Sequence, residues 1–222
     1  MKETETPFVF ARPQTWFWGF LFSKTASIDY KLIIHGGILM SNVSMSTRKL
    51  CTLGLLGAIS VVLVAFIHFP VFPLTPFLEY DPADIPIFIG TLFYGPVAGL
   101  FLTVIVSVVQ GLTVSAASGV IGIIMHIVAT GSFVLVFGLL TRKNKSIKRS
   151  IIALVLGIVT WTAVMVLWNL LLTPVFMGTP VDAVLELILP AILPFNLIKA
   201  GVNGVVALLV GKSVKAIVKR EF

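Results

Sequence analysis

Charge is what this sequence has least of. Only 11% of its 222 residues are Asp, Glu, Lys or Arg, against about 25% in soluble domains, while 58% are hydrophobic. That excludes an ordinary soluble domain and points to a polytopic membrane protein. Cysteine is nearly absent too. Cys51 alone permits no internal disulfide and, beside Arg48 and Lys49 at a helix start, reads as a small apolar residue. Cys/His clusters with metal-ligand spacing and nucleophile elbows are missing, so no metal site, no catalytic residue and no cofactor are expected. Gly211-Lys212-Ser213 ends like a phosphate-binding loop, but the glycine needed five positions earlier is Val206, so ATP is not bound by that motif. A net charge of +7 would suggest nucleic acid in a soluble chain. Here the basic residues lie between apolar spans, so the lipid bilayer is the expected partner and nucleic acid is not.

What the sequence does have is one acidic knot between two apolar runs. Leu50 to Leu78 carries no charge, and neither do the 57 residues from Ile85 to Thr141. Between them stands Glu79-Tyr80-Asp81-Pro82-Ala83-Asp84, with three carboxylates in six residues. Burying these unpaired in lipid is prohibitive, so they belong in water or in a sheltered site at the membrane surface. Pro82 biases Asp81 away from helix, and Asp84 is placed to cap a helix starting near Ile85. The stretch reads as a structured, acidic lid.

The spans follow from length and breakers. A first helix covers about Leu50 to Phe69, with Gly54 and Ala58 four residues apart so that another helix can approach closely, inside the bundle or from a partner. Gly95-Pro96 and Ser115-Ala116-Ala117-Ser118-Gly119 divide the long run into Ile85 to Tyr94, Val97 to Val114 and Val120 to Thr141. Two more helices are expected from about Ile151 to Leu172 and Ile192 to Val210. With this count, Arg48 and Lys49, the cluster from Arg142 to Arg149, and Lys212 onward form eleven basic residues on one side, and no outer loop carries Lys or Arg. The expected fold is an all-α membrane protein: a six-transmembrane-helix bundle, both termini cytoplasmic, with the acidic outer loop between helices 1 and 2. The functional domain is expected at 45–220. Residues 1–39 are expected to be a non-native or disordered extension, since Gly36-Gly37-Ile38-Leu39-Met40 is what a purine-rich ribosome-binding site would encode just before a start at Met40.

Polar groups within the spans mark the candidate site. Asn196, Lys199 and Asn203 are spaced by three and four residues and share one face of the last helix. Lys199 lies roughly 10 Å inside it. A buried ammonium costs about 2.5 to 3.5 kcal/mol even on lenient insertion scales, so it needs a partner among Glu79, Asp81, Asp84, Asp182 and Glu186. It is either a structural ion pair or a ligand donor. Thr103, Ser107 and Gln110 share a face of the third helix, His126 and Thr130 a face of the fourth, and Asn169 lies on the fifth near Trp161 and Trp168. Each of these can be an interhelical hydrogen bond; His126 in particular has no carboxylate near it in sequence.

Three motifs carry a family resemblance: Glu79-Tyr80-Asp81-Pro82-Ala83-Asp84-Ile85-Pro86, Phe93-Tyr94-Gly95-Pro96-Val97-Ala98-Gly99 and Pro194-Phe195-Asn196-Leu197-Ile198-Lys199. With them the core resembles the substrate-binding (S) components of energy-coupling factor vitamin transporters, most closely the riboflavin-specific type. The resemblance implies a six-helix bundle in a bacterial plasma membrane that captures riboflavin from outside, under the loop between helices 1 and 2. It implies partners as well, a transmembrane coupling subunit and two cytosolic ATPases, with Gly54 and Ala58 at the coupling interface where alanines are more usual. On this resemblance a transport subunit is expected, and not an enzyme. Glu79, Tyr80, Asp81, Ser107, Gln110, Asn196, Lys199 and Asn203 are the expected ligand contacts. An S component for pantothenate, thiamine or folate, and a self-sufficient secondary transporter, are the alternatives; the second lacks an evident inverted repeat or a membrane carboxylate for ion coupling.

Overall fold

The structure, a computed structural model, describes residues 47–73, 75–143 and 146–220; the expected extension at 1–39 lies outside them. The chain runs α1 (Thr47–Phe66), β1 (Phe69–Pro70), β2 (Glu79–Tyr80), α2 (Asp84–Tyr94), α3 (Pro96–Leu112), a 3-10 turn (Ala116–Ser118), α4 (Gly119–Arg142), α5 (Ile147–Met177), α6 (Val181–Leu187), a π turn (Ile188–Ile192) and α7 (Leu193–Arg220). The fold is therefore almost wholly helical. Segments in α1, α4, α5 and the α6–α7 run are long and apolar enough to cross a membrane. Helices α2 and α3, at 11 and 17 residues, are shorter, about 16 and 25 Å against a hydrocarbon layer of about 30 Å.

The breaker residues act where the sequence places them. Gly95 closes α2 with φ 89°, a left-handed conformation that a Cβ would oppose, and its N–H still reaches Thr91 O at 2.8 Å. Pro96 then opens α3 at a position where a missing N–H costs nothing. Ser146 caps α5 by accepting the Arg149 N–H, and Gly178 ends it in the left-handed region. Helix α5 outruns its expected end near Leu172 and takes Pro174 into its last turns, where the sequence reading let proline end it. The chain then folds into the short α6 and a π turn holding Pro190, neither of which the sequence announced.

Short α2 is the centre of the bundle, packing on α1, α3, α4 and α7. Its Phe88 stacks on Phe133 of α4 with ring centroids 4.0 Å apart, and Trp161 of α5 stands edge-on to both. Outward faces are apolar, as at Leu139, Leu167 and Leu171, which suits lipid. On α1, Gly57 packs inward against Leu102, whereas Gly54 and Ala58 lie on the exposed face, with nothing near the position a Gly54 Cβ would take. Internal packing is thus the role of Gly57.

The loop between α1 and α2 is a folded hairpin. Phe69 pairs with Tyr80 and Pro70 with Glu79, and Leu78 N–H reaches Thr75 O at 2.9 Å. Leu78 seats it in a second apolar cluster with Val184, Ala191, Ile192 and Phe195, so α6 and the π turn form the floor on which the loop rests.

Candidate ligand-binding site

Asp81 is the hub of the loop end. Held out of helix by Pro82, it turns its Oδ1 onto the Ala83 N–H at 3.0 Å and its Oδ2 onto the Lys199 ammonium at 2.7 Å. Gln110 Nε2 of α3 donates to the same Oδ2 at 3.5 Å, and Lys199 donates also to Glu79 O at 3.3 Å. Both members of the ion pair are buried, 3% and 8% exposed. The partner that a membrane-buried lysine requires is therefore the loop carboxylate, 118 residues away in the chain.

The face predicted on the last helix is present on α7. Asn203 spends both amide N–H groups and one oxygen lone pair on the loop and α2: Nδ2 donates to Asp81 O at 2.9 Å and to Asp84 Oδ2 at 3.1 Å, and Oδ1 accepts the Tyr80 hydroxyl at 2.9 Å. Burial, and then the negative charge of Asp81, push the Tyr80 hydroxyl above its usual pKa, so it stays protonated and remains a donor. Asn196 is fixed differently. Trp161 Nε1, a donor only, gives to Asn196 Oδ1 at 2.9 Å, and Asn196 Nδ2 gives to Ile192 O at 2.7 Å. Among the described residues, one N–H and one oxygen lone pair of that amide are left over.

Asp84 does not cap α2 as expected. Its N-terminal position is taken by Ala83 without a side-chain bond, because the Asp84 carboxylate, 0% exposed, turns inward to donors from two other helices. Thr130 donates to its Oδ1 at 2.7 Å, and His126 Nε2 lies 3.1 Å from the same oxygen. The other ring nitrogen of His126 faces Ser107 Oγ at 2.9 Å, while Ser107 donates to Thr103 O at 2.6 Å. His126 has a carboxylate after all, 42 residues away, and no local pattern could have shown it.

Beneath the loop lies a cavity of about 150 Å³. Glu79 and Asp81 of the loop, Ser107 and Gln110 of α3, and Asn196 and Lys199 of α7 all line it. Tyr80 and Asn203 do not; they tie the loop down beside it. The expected ligand contacts did not include His126 or Asn169, which were weighed only as interhelical hydrogen bonds, nor Trp161, Thr173 or Phe176, although all line the cavity. Trp161 and Asn169 stand eight residues apart on α5, close to one face at 3.6 residues per turn, and that spacing was the available signal. Gln110 Oε1 is buried with no hydrogen-bond partner among the described residues, an acceptor left open at the cavity wall.

With this geometry in view, three comparisons agree. Residues 48–211 match the family model described as ECF transporter, substrate-specific component. A curated relative, "Riboflavin transporter FmnP" of Bacillus subtilis (strain 168), is 31% identical over 153 residues, 65% of this chain and 80% of that protein. A solved structure titled "Structure and mechanism of the S component of a bacterial ECF transporter" superposes with a TM-score of 0.68 at 29% identity, covering 78% of this chain and 98% of the other. A bundle of apolar helices closed at one end by a hairpin over a polar cavity, matched over most of its length in sequence and in shape, belongs to the substrate-specific components of ECF transporters.

Proposed function

We propose that this chain captures riboflavin from outside a bacterial plasma membrane, holds it in the cavity beneath the loop and delivers it to an ATP-driven coupling module. The observation that carries this reading is the leftover valence of Asn196. One N–H and one acceptor lone pair side by side match the carbonyl and imide N–H on the polar edge of a flavin ring, and Lys199 is a second carbonyl donor beside them. Trp161, Phe195 and Phe176 supply apolar wall for the ring, and the open Gln110 Oε1 suits a hydroxyl of the ribityl chain. The riboflavin transporter among the relatives supports the same choice of vitamin.

The finer architecture belongs to this reading. Residues 45–220 form the S-component domain with six crossings, α2 completing its crossing with the turn before it. Both termini face the cytoplasm, because only then do the eleven flanking basic residues share one side. The exposed Gly54 and Ala58 face receives the transmembrane coupling subunit, and the two ATPases bind that subunit on the cytoplasmic side.

At about 150 Å³ the cavity is below the 300 Å³ or more usual for organic ligands, so the loop must shift outward to admit a flavin. The test is the absorption spectrum of protein purified from cells grown in rich medium, followed by riboflavin titration. A yellow preparation that releases intact flavin on denaturation is expected. A colourless preparation that stays blank with added riboflavin overturns the choice of vitamin and directs the search to pantothenate, thiamine and folate.

A further inference from the structure

We propose that Asp84 is a positioning residue: without touching the ligand, it sets both the seat of the loop and one wall of the cavity, and thereby governs how fast ligand leaves. This rests on the reading of the cavity as the ligand site. Asp84 is fully buried and is not among the cavity-lining residues, so it cannot act by contact. Its two oxygens face two different tasks. Through Oδ2 it holds the Asn203 amide, and that amide carries the loop by donating to Asp81 O and accepting from Tyr80. Through Oδ1 it meets His126 Nε2, and His126 with Ser107 forms the cavity wall between α3 and α4.

The other polar ties between loop and bundle, from Lys199 to Asp81 and Glu79 O and from Gln110 to Asp81, line the cavity and are open to disturbance by any bound molecule. The Asp84–Asn203 connection lies outside the lining, where a bound molecule does not touch it. Since the cavity is too small for a flavin unless the loop lifts, the strength of this seat enters the barrier to release. An amide in place of the carboxylate keeps one acceptor oxygen, now uncharged and about half as strong, and sets an NH2 donor against the donors that the other oxygen held.

The experiment uses full-length protein in detergent with two substitutions, Asp84→Asn and Thr130→Val. The second removes one donor to Asp84 Oδ1 at a residue that touches neither loop nor cavity. Riboflavin dissociation is followed by recovery of flavin fluorescence. Loop opening is followed separately by maleimide labelling of Thr75→Cys in a Cys51→Ser background. Thr75 is 0% exposed in the loop and its hydroxyl has no partner among the described residues, so a thiol replaces it at little cost.

Asp84→Asn is expected to speed both dissociation and labelling by about tenfold, and Thr130→Val by about threefold, the size of weakened bonds to one charged acceptor. Unchanged dissociation and labelling in Thr130→Val, or in a folded Asp84→Asn, overturn the proposal, as does a lowered melting temperature with neither rate altered. If Asp84→Asn does not accumulate, Thr130→Val decides alone. If the wild type binds no riboflavin, the vitamin assignment fails, while the labelling rates still support or overturn the role of Asp84.

Discussion

At Lys199 the two roles that sequence reasoning set against each other, structural ion pair and ligand donor, are geometrically compatible. The side chain pairs with Asp81 and also lines the cavity. Lys199→Ala leaves the Asp81 carboxylate buried without its countercharge, a loss of about 2 to 5 kcal/mol in comparable charge pairs. Riboflavin affinity is expected to fall at least tenfold in a fluorescence titration of protein that still purifies as a folded species; an unchanged Kd would remove Lys199 from the site. Tyr80 gives a pH prediction with a definite sign. Its folded pKa is raised above 10.0, so its bond to Asn203 is fully present below about pH 10 and is lost as pH rises through the raised value. Difference absorbance between wild type and Tyr80→Phe should show one tyrosine ionising late. The depth of Lys199 and its shared face with Asn196 and Asn203 were legible from spacing alone. Which of five carboxylates would meet it was not, since a separation of 118 residues leaves no periodic trace.

Among the elements, two glycines separate internal packing from an external surface. A Cβ on Gly138 of α4 would come within 2.8 to 3.0 Å of Cβ, Cα and N of Pro96, a fixed corner that cannot yield. Gly138→Ala is therefore expected to lower the melting temperature, the clash of about 1 to 3 kcal/mol outweighing the gain of about 1 kcal/mol in helix propensity. Gly54 has open space around its missing Cβ. Gly54→Leu should leave riboflavin binding intact and impair uptake in cells that carry the coupling module; normal uptake would move the partner interface elsewhere. Element boundaries were read well wherever glycine and proline forced them, as at Gly95-Pro96. Helix α6 was missed because seven residues are too few for a helix to hold by itself, and packing of Val184 and Leu187 in the loop cluster holds them.

For the molecule as a whole, the open quantity is how many times the chain crosses the bilayer. An 11-residue α2 cannot cross alone, and the proposal that it completes a crossing rests on the sidedness of the basic clusters. In a Cys51→Ser background, Glu186→Cys should react with an impermeant maleimide added to intact cells, and Lys212→Cys only after the cells are opened. Labelling of both from outside would break the six-crossing arrangement.

By itself the sequence determined the membrane class, the positions of the long apolar helices, the breaks between them and the polar face of the last one, because apolar length, proline and glycine geometry and the 3.6-residue period all act within a few turns of chain. Tertiary structure decided which charges meet. Asp81 goes to Lys199 and Asp84 to His126, Thr130 and Asn203, because the central placement of short α2 brings the loop carboxylates within reach of α3, α4 and α7 at once. A buried charge is stable only beside its partner, so these pairings are properties of the packed bundle and not of any one segment.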